Sequence, residues 1–261
     1  MTAPTVETIK RYYDERIDRK IWDFTSANPR IETALGSLLL WLPKNAANIL
    51  EIGCGIGATS WRVARFCRQA TILGVDVSSR SIEVARTCFR LANLSFRDMS
   101  LAKGGLSARF DCVVMMDVYE HIAAEQRPGL HEFLADALTE NGRIFLSFPT
   151  PQNLKFLKEF HPDEIQPIDE DITVEVLERL SADVRGRLLF YREVSIWKTG
   201  DYAHAVVGRD KIMTALSNGQ AQPWRSFSKL GLQNLWNRSA LKLSGRQRNK
   251  IVQPWYRVGK S

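Results

Sequence analysis

Residues 48–57 of this 261-residue chain read Asn48-Ile49-Leu50-Glu51-Ile52-Gly53-Cys54-Gly55-Ile56-Gly57, and this stretch decides the fold. A short apolar run ends in three glycines at alternate positions, and an amphipathic segment from Thr59 to Phe66 follows at once. That order predicts a strand, a tight turn and the start of a helix. Because glycine tolerates positive φ and carries no Cβ, the turn can bring main-chain N–H groups against a ligand at the N-terminus of the helix. We therefore expect a nucleotide-type binding loop here.

A second apolar run, Thr71 to Val75, closes on Asp76. An acid at the end of the second strand, roughly twenty residues after a glycine turn, is placed to accept hydrogen bonds from ribose hydroxyls. The glycines fall as G-x-G-x-G, with Glu51 two residues before the first of them, whereas dinucleotide-binding proteins have G-x-G-x-x-G. A lone glycine turn is often only a tight turn, but the two acids at these positions favour a nucleotide-type cofactor.

In these features the chain resembles the class I S-adenosylmethionine-dependent methyltransferases, whose first motif is an acid followed by G-x-G-x-G. The resemblance covers Ile31 to Gly208 and implies S-adenosylmethionine as the cofactor. It also implies an α/β fold, Rossmann-like and doubly wound, with a seven-stranded, mostly parallel sheet that ends in an antiparallel hairpin. The expected organisation is an N-terminal helical lid (1–47), the methyltransferase core (48–208) with an acceptor-binding insertion after strand five (150–183), and a basic C-terminal extension (209–261).

The same resemblance implies which residues contact the cofactor. After the third strand, an acid of the family hydrogen-bonds the adenine amino group and its neighbour packs on the ring, a pattern that Asp98 and Met99 match. A helix is predicted over Val6 to Phe24, with Tyr12 and Tyr13 either as lid contacts or simply as its buried face. The expected cofactor-binding set is Tyr13, Glu51, Gly53, Cys54, Gly55, Gly57, Asp76, Val77, Asp98, Met99 and Asp117.

The nearly continuous apolar run from Phe110 to Met116 predicts a central parallel strand that is buried on both faces. It ends in Asp117-Val118-Tyr119-Glu120-His121, and open α/β sheets bind their ligands at the carboxyl ends of the strands. This cluster resembles the D-x-x-E-H form of the family's fourth motif, which recurs among small-molecule O-methyltransferases. Transfer of a methyl group to a hydroxyl needs a proton acceptor, and histidine suits that role near pH 7.

His121 is therefore the first candidate for the general base, with a histidine that packs under the cofactor or caps a strand as an equal alternative. His161 is the second candidate, with Asp169 or Glu170 as an orienting carboxylate in the same loop, although a His-Pro pair can equally be plain turn chemistry. The two remaining histidines, for which structural roles are expected, are His131 at the surface or edge of its helix and His204 in the final hairpin.

Composition restricts the class of protein. The length is enough for one sizeable domain with a full α/β core and appendages. The four cysteines show neither C-x-x-C pairing nor histidines at ligand spacing, so we expect no zinc site and no disulfide framework, and a reducing cytoplasm fits best. The absence of a signal-peptide pattern and of a membrane-length apolar run predicts a soluble protein. The acids from Asp163 to Asp171 lack the spacing of a divalent-ion loop, so no metal is expected, with an ion that acidifies the acceptor as the minor alternative.

The formal net charge of +7 is unevenly spread, because residues 209–261 carry eleven Lys or Arg and one acid, Asp210. Aromatic residues such as Trp224, Phe227 and Trp236 interleave with these bases. Such a tail can bind nucleic acid, lie on an anionic membrane, or form a solvated or subunit-packing extension, which is the simplest interpretation. Of the other two, peripheral membrane contact is favoured over nucleic acid, because the slightly acidic catalytic half offers no basic channel.

The resemblance supports transfer of a methyl group from S-adenosylmethionine to a hydroxyl of a small molecule, such as a sugar of a glycan or a secondary metabolite. The enzymatic alternative is an RNA or protein methyltransferase that uses the basic tail. The non-enzymatic alternative is a cofactor-binding partner subunit, and the intact glycine motif argues against it. The sequence leaves the acceptor and the oligomeric state open.

Overall fold

A computed structural model describes residues 5–100, 106, 108–209 and 243–258, and its core is a seven-stranded sheet between layers of helices. The strands are β1 (Asn48–Ile52), β2 (Thr71–Asp76), β3 (Leu94–Asp98), β4 (Phe110–Met116), β5 (Leu138–Pro149), β6 (Arg187–Val194) and β7 (Tyr202–Gly208). The helices are α1 (Val6–Asp14), α2 (Ile17–Thr25), α3 (Pro29–Trp41), α4 (Ala58–Phe66), α5 (Ser79–Cys88), α6 (Arg127–Ala137), α7 (Pro151–Phe160), α8 (Val174–Asp183) and α9 (Gly245–Val258).

The strand order is β3-β2-β1-β4-β5-β7-β6, with parallel pairing from β3 to β5 and antiparallel pairing of β7 with both of its neighbours. The expected Rossmann-like fold with a C-terminal antiparallel hairpin is therefore confirmed. Leu50 of β1 pairs with Leu73 of β2 on one side and with Val113 of β4 on the other. Strands β2 and β3 are added on one side of β1, and β4 and β5 on the other. Because the strand order reverses between β1 and β4, a crevice opens at the carboxyl ends of these two strands.

The two faces of the sheet bury separate clusters of apolar side chains. On one face α6 and α8 contribute Leu134 and Leu177, and on the other α3 and α4 contribute Leu38 and Val63. The central strands are covered on both faces, which explains why β1 and β4 are apolar almost throughout. The polar residues that follow these strands are therefore the ones that reach the crevice.

A third cluster joins the N-terminal and C-terminal parts of the chain. Phe24 of α2, Phe89 after α5 and Val252 of α9 are all buried in it. Part of the expected basic extension is thus a helix packed on α2 and α5, with its bases Arg246 and Lys250 on the exposed side. The aromatic residues that interleave with the bases of the tail at Trp224, Phe227 and Trp236 lie outside the described residues.

The N-terminal segment departs from the prediction of one helix over Val6 to Phe24. The helix breaks between α1 and α2, where Arg16 leaves the helical conformation. The Arg16 guanidinium lies 3.4 Å from the centre of the Tyr12 ring and donates a hydrogen bond to the Tyr12 carbonyl at 3.0 Å. This side chain satisfies a carbonyl that a continuing helix would bond through its backbone, so α1 and α2 can take different directions.

In the described part of the chain, every helix is too short or too polar to cross a membrane.

Candidate functional site

The three glycines of the turn between β1 and α4 all have positive φ, at 68° for Gly53, 54° for Gly55 and 84° for Gly57. A Cβ on Gly53 would lie 2.3 Å from Val118 Cγ2, and a Cβ on Gly57 would lie 2.5 Å from Phe96 Cζ. On Gly55 a Cβ would meet only the flexible end of a lysine side chain, at 3.7 Å. Gly53 and Gly57 are thus required by the packing of the protein itself, whereas Gly55 borders open space.

Asp76, at the end of β2, ties three segments together around this turn. Its Oδ2 accepts a hydrogen bond from Gly55 N at 2.7 Å, and its Oδ1 accepts one from Ser78 N at 2.8 Å. Ser78 Oγ in turn donates to the Asp14 carboxylate of α1 at 2.6 Å. Asp76 is 7% exposed and borders the cavity described below, where a ligand hydroxyl can reach the carboxylate.

Glu51 lies at the end of β1, directly before the glycine turn. The side chain is 5% exposed and accepts a hydrogen bond from Ser60 Oγ of α4. Burial raises the pKa of Glu51 to about 8, against the opposing effect of the Ser60 hydrogen bond. Burial also raises the pKa of the neighbouring Cys54 thiol, so that this cysteine is an uncharged part of the wall.

A cavity of about 1020 Å³ lies in front of the glycine turn. Its walls come from the N-terminal lid helices (α1 to α3), the carboxyl ends of β1, β2 and β4, the insertion loop (residues 161–173, between α7 and α8) and one side of α6. Pockets for small ligands commonly measure about 300–1000 Å³, so this one has room for a cofactor together with a small acceptor. The sequence-predicted residues that line it are Tyr13, Glu51, Gly53, Cys54, Gly55, Asp76, Val77, Met99, Asp117 and His121.

Two of the predicted residues lie elsewhere. The exposed Asp98 carboxylate accepts a hydrogen bond from Ser79 Oγ and does not border the cavity, and its contact with adenine stays a prediction. His161 is exposed as well, with Nδ1 3.9 Å from Glu164 Oε1 and its ring against Phe156. His161 does not border the cavity, whereas His121 does.

Two further predicted residues do not border the cavity but lie next to residues that do. Gly57 does not border the cavity, although its positive φ shapes the turn that does. Asp169 also lies outside the lining but contacts His121 rather than His161. The predicted pairing of Asp169 with His161 is thus replaced by a contact with His121, because the insertion loop folds back over the end of β4.

Arg30 and Asp117 form an ion pair at the cavity wall that the sequence analysis missed. Arg30 Nη1 lies 3.2 Å from Asp117 Oδ2 and donates a hydrogen bond to Tyr202 OH at 3.1 Å. Asp117 has a φ of 54°, a conformation that a non-glycine residue adopts only at some cost and often at functional sites. Arg30 Nε and Asp117 Oδ1 have no hydrogen-bond partner within the described residues. The pair therefore places a guanidinium and a carboxylate side by side at the cavity wall.

His121 lies where the end of β4 meets the insertion loop. Its Nδ1 is 2.8 Å from the Ile168 carbonyl oxygen and 3.0 Å from Asp169 Oδ1, and its Nε2 is 3.7 Å from Glu120 Oε1. Burial by itself lowers the pKa of His121, but the carboxylates of Glu120 and Asp169 outweigh burial and raise the pKa to about 9. His121 is therefore largely protonated at neutral pH, with a fixed ring orientation.

The lid helix α1 and the insertion loop meet across the cavity. Tyr13 OH donates a hydrogen bond to Gln166 Oε1 at 3.1 Å, and Gln166 N donates to Asp169 Oδ2 at 2.8 Å. Burial raises the pKa of the Tyr13 hydroxyl, which keeps it neutral and able to donate. Through this chain of contacts the lid is connected to the carboxylate that orients His121.

The two remaining histidines lie away from the cavity. His131 was expected at the surface or the edge of its helix, and the structure buries it. Its Nδ1 lies 2.8 Å from Asp183 Oδ2, and its Nε2 lies 2.7 Å from Tyr119 OH. His204 is buried with Nδ1 2.8 Å from Ser37 Oγ, which agrees with the structural role predicted for it. Burial lowers the pKa of His204 to about 4, so this ring is neutral.

The lining residues that the sequence analysis missed are brought in by the fold from distant positions. Arg30 lies 172 positions from its partner Tyr202, and no local spacing signals such a contact. Arg248 of α9 also borders the cavity, where Nη2 lies 3.1 Å from Glu32 Oε1 and Nη1 donates to the Phe24 carbonyl at 2.8 Å. In the sequence it is one base among many in the tail. Among the residues that the structure describes, no three His, Cys, Asp or Glu side chains are grouped so as to hold a metal ion.

Comparison with known sequences gives a family for the first half of the core. Residues 49–142 match the family model described as a methyltransferase domain. An uncharacterized protein of Rickettsia prowazekii is 30% identical over 154 residues, which are 55% of this chain and 60% of that protein. A ubiquinone biosynthesis O-methyltransferase of Cereibacter sphaeroides is 36% identical over 85 residues, which are 31% of this chain and 34% of that enzyme. The alignments thus span 60% or less of these relatives.

Solved structures extend the likeness over more of the chain. The crystal structure of magnesium protoporphyrin IX methyltransferase from Synechocystis with bound SAH superposes with a TM-score of 0.61. The superposition covers 78% of this chain and 99% of that one, at 18% sequence identity. At this identity the likeness concerns the fold alone, and it agrees with the observed strand order.

Proposed function

The chain carries a class I methyltransferase domain, in the family that residues 49–142 match, and we propose that it transfers a methyl group from S-adenosylmethionine to a hydroxyl of a small molecule. The observation that carries the proposal is His121, which lies at the cavity wall with one ring nitrogen held by Asp169 and the Ile168 carbonyl. A histidine held in this way is arranged as a proton acceptor, and a hydroxyl acceptor needs one.

The residues of the cavity fit this cofactor at both of its ends. The amino-acid end carries a carboxylate and an ammonium group, which match in charge the guanidinium of Arg30 and the carboxylate of Asp117 at the cavity wall. The Asp76 carboxylate is available to the ribose hydroxyls, and Gly55 leaves room above the turn. Met99 and Leu106 provide apolar surface for the adenine ring, and Met99 borders the cavity where Asp98 does not.

S-adenosylmethionine supplies a methyl group already activated by a positive sulfur, so the protein's task is to align the acceptor, exclude water and remove one proton. The ring of His121 is aligned by the Ile168 carbonyl and Asp169. Its Nε2 is 3.7 Å from Glu120, which is longer than a hydrogen bond, so this nitrogen stays available to an acceptor. The hydrogen bond from Tyr13 OH to Gln166 Oε1 joins α1 to the insertion loop beside the cavity, where both can help to exclude water.

Protonation of His121 sets the pH at which this chemistry proceeds. A general base must begin without its proton, and the pKa of His121 is raised to about 9. We therefore expect kcat/KM to rise with pH up to about 9, since kcat/KM reports on the groups of the free enzyme. A rate that peaks near neutral pH and falls towards pH 9 would contradict His121 as the base.

The acceptor class rests on the type of relative and on the size of the cavity. The relative from Cereibacter sphaeroides is an O-methyltransferase of ubiquinone biosynthesis. A cavity of about 1020 Å³ has the size of a pocket for small molecules. A sugar unit of a glycan or a secondary metabolite is the acceptor that we propose, and phenols and glycosides are the compounds to screen first.

The position of α9 weakens the argument that the basic tail serves to bind RNA or protein for methylation. One base of that helix, Arg248, is 3% exposed and borders the cavity, so removing the tail would damage the site whichever acceptor is used. The informative variant neutralises only the exposed bases, as Arg246→Gln, Lys250→Gln and Arg257→Gln together. An enzyme that binds RNA through this face would lose activity and much of its salt dependence, whereas a small-molecule enzyme keeps both.

Calorimetric titration with S-adenosylmethionine and with S-adenosylhomocysteine tests the proposal first. We expect micromolar binding of at least one, followed by methyl transfer to a member of the acceptor panel. Binding without transfer to any acceptor would favour the non-catalytic partner subunit. Absence of binding to both would overturn the proposal. Membrane contact through the tail and a cytoplasmic location stay predictions.

A further inference from the structure

Glu120 is a buried carboxyl that no step of the proposed reaction uses. The residue is 1% exposed and does not border the cavity. Its Oε1 lies 3.7 Å from His121 Nε2, and its Oε2 has no hydrogen-bond partner in the described part of the chain. Leaving a buried carboxyl oxygen unpaired is costly, so a role that compensates the cost is expected for this side chain.

The main chain fixes where Glu120 lies. Its carbonyl oxygen accepts a hydrogen bond from Glu170 N of the insertion loop at 2.9 Å, and the residue belongs to a 3₁₀ turn, Tyr119–His121, directly after β4. The loop that holds the other ring nitrogen of His121 thus also anchors the backbone of Glu120. The hydrogen bond from Glu170 N to the Glu120 carbonyl therefore helps to fix the positions of both carboxylates near the imidazole, Glu120 and Asp169.

Charged or titratable groups face His121 from each element packed around it. Arg30 of α3 pairs with Asp117 at 3.2 Å, which leaves the other two carboxylates to balance a charge on the imidazole. The groups are Asp117 at the end of β4, Glu120 on the same turn, Asp169 of the insertion loop, and the hydroxyls of Tyr12 and Tyr13 on α1.

We propose that Glu120 is a positioning residue for this methyl transfer, whose carboxylate lies 3.7 Å from His121 Nε2 without a hydrogen bond to it and balances the charge that the ring gains. The inference rests on the proposed function. As the acceptor oxygen bonds the methyl carbon, the electron pair of the carbon–sulfur bond goes to sulfur and the acceptor proton goes to His121 Nε2. The proton leaves for water once product departs. Glu120 acts only through His121 and touches no substrate.

The test is a ¹H–¹³C NMR titration of the histidine rings in the full chain, without cofactor or acceptor. The His121 resonance is identified by its loss in His121→Gln. In the wild-type protein we expect a titration midpoint near 9, as the raised pKa implies. In Glu120→Gln the carboxylate charge is gone, and the midpoint falls by about one pH unit or more. The rising limb of kcat/KM against pH moves down by the same amount.

Asp183→Asn is the matched control, because it removes the carboxylate of another buried histidine, His131, and leaves the His121 midpoint unchanged. If Glu120→Gln does not fold, Glu120→Asp keeps the charge but draws it back by one methylene, so the midpoint falls part of the way. A midpoint that stays near 9 in the folded variants overturns the proposal. So does a rate that a chelator abolishes and Mg²⁺ or Mn²⁺ restores, since the carboxylates would then serve an ion.

Failure of the proposed function gives a different pattern from failure of this inference. The NMR midpoints are measured without S-adenosylmethionine, so they decide the role of Glu120 towards His121 whether or not a reaction is found. Calorimetry with the cofactor decides the function independently. A shifted midpoint without cofactor binding would overturn the methyl transfer alone, whereas binding with an unshifted midpoint would overturn the role of Glu120 alone.

Discussion

Two histidines of this protein make almost the same contact in very different surroundings. His121 and His131 each place Nδ1 within 3.0 Å of an aspartate oxygen, on Asp169 and Asp183 respectively. The other nitrogen of His131 lies 2.7 Å from the buried Tyr119 hydroxyl, so both of its nitrogens are used inside the protein. The other nitrogen of His121 lies 3.7 Å from Glu120 Oε1, which is longer than a hydrogen bond, and its ring borders the cavity.

The difference shows that a histidine–aspartate pair does not by itself indicate chemistry. His131 links α6 to α8, and its hydrogen bonds satisfy buried polar groups that would otherwise be unpaired. His121 keeps one nitrogen available and is surrounded by carboxylates that stabilise a positive ring. The open nitrogen and the adjoining cavity are what separate a candidate base from a structural histidine.

The strongest test of this comparison replaces each histidine in turn. We expect His121→Gln to lower kcat by about a hundredfold to ten-thousandfold, the usual range for a lost general base, while cofactor affinity is kept. Steady-state kinetics and calorimetry on the same preparation measure the two quantities. His131→Gln is the control, for which we expect kcat within a few-fold of wild type and a loss of unfolding free energy of about 1–3 kcal/mol. Equal loss of kcat in both variants would erase the distinction.

A smaller effect is expected from Asp76, the acid that we propose binds the ribose of the cofactor. Asp76→Ala removes the carboxylate bonded to Gly55 N and Ser78 N and should weaken cofactor binding by about 1–3 kcal/mol. Titration calorimetry with S-adenosylhomocysteine measures this directly. Affinity equal to that of the wild type would place the ribose elsewhere and remove the reason to regard His121 as facing a methyl donor.

The orienting aspartates give a matched pair of variants. Asp169→Asn takes away a charge that supports the raised pKa of His121, so we expect that pKa to fall by about one unit and kcat to drop about tenfold. Asp183→Asn should leave the pH profile in place and affect only stability. The pH dependence of kcat/KM from about pH 6 to 10 separates the two. A profile that moves in the Asp183 variant instead would reverse the roles that we assign.

The smallest effect concerns stability against pH. The folded-state pKa of His121 is raised from 6.5 to about 9, so its contribution is fully present below pH 6.5 and is lost as pH rises through 9. The difference in unfolding free energy between wild type and His121→Gln should therefore shrink over that window, as measured by urea denaturation. The pKa of His204 is lowered to about 4, so its contribution to the unfolding free energy should depend on pH in the opposite direction. That contribution is lost as pH falls from 6.5 through 4. A constant difference for His121 would mean that the ring is not held charged.

Much of the fold could be predicted because it depends on local signals. The run that ends in Gly53, Gly55 and Gly57 and the acid Asp76 fix a strand–turn–helix–strand unit whose spacing is short. Strand β4 was evident because a strand covered on both faces must be apolar nearly throughout. The N-terminal helices were less accurate, since the break at Arg16 depends on a guanidinium that stacks on the Tyr12 ring, which helical periodicity does not show.

The sequence alone determined the type of fold, the glycine turn, and the presence of a histidine at the end of β4, because each follows from neighbours within one or two elements. Only the tertiary structure decided that Asp169 orients His121 and not His161, that Arg30 pairs with Asp117, and that Arg248 reaches the cavity. These contacts join residues that are far apart in the chain, through an insertion loop and terminal helices. The positions of these residues depend on how whole helices and loops pack together. Local periodicity and motif spacing in the sequence do not predict that packing.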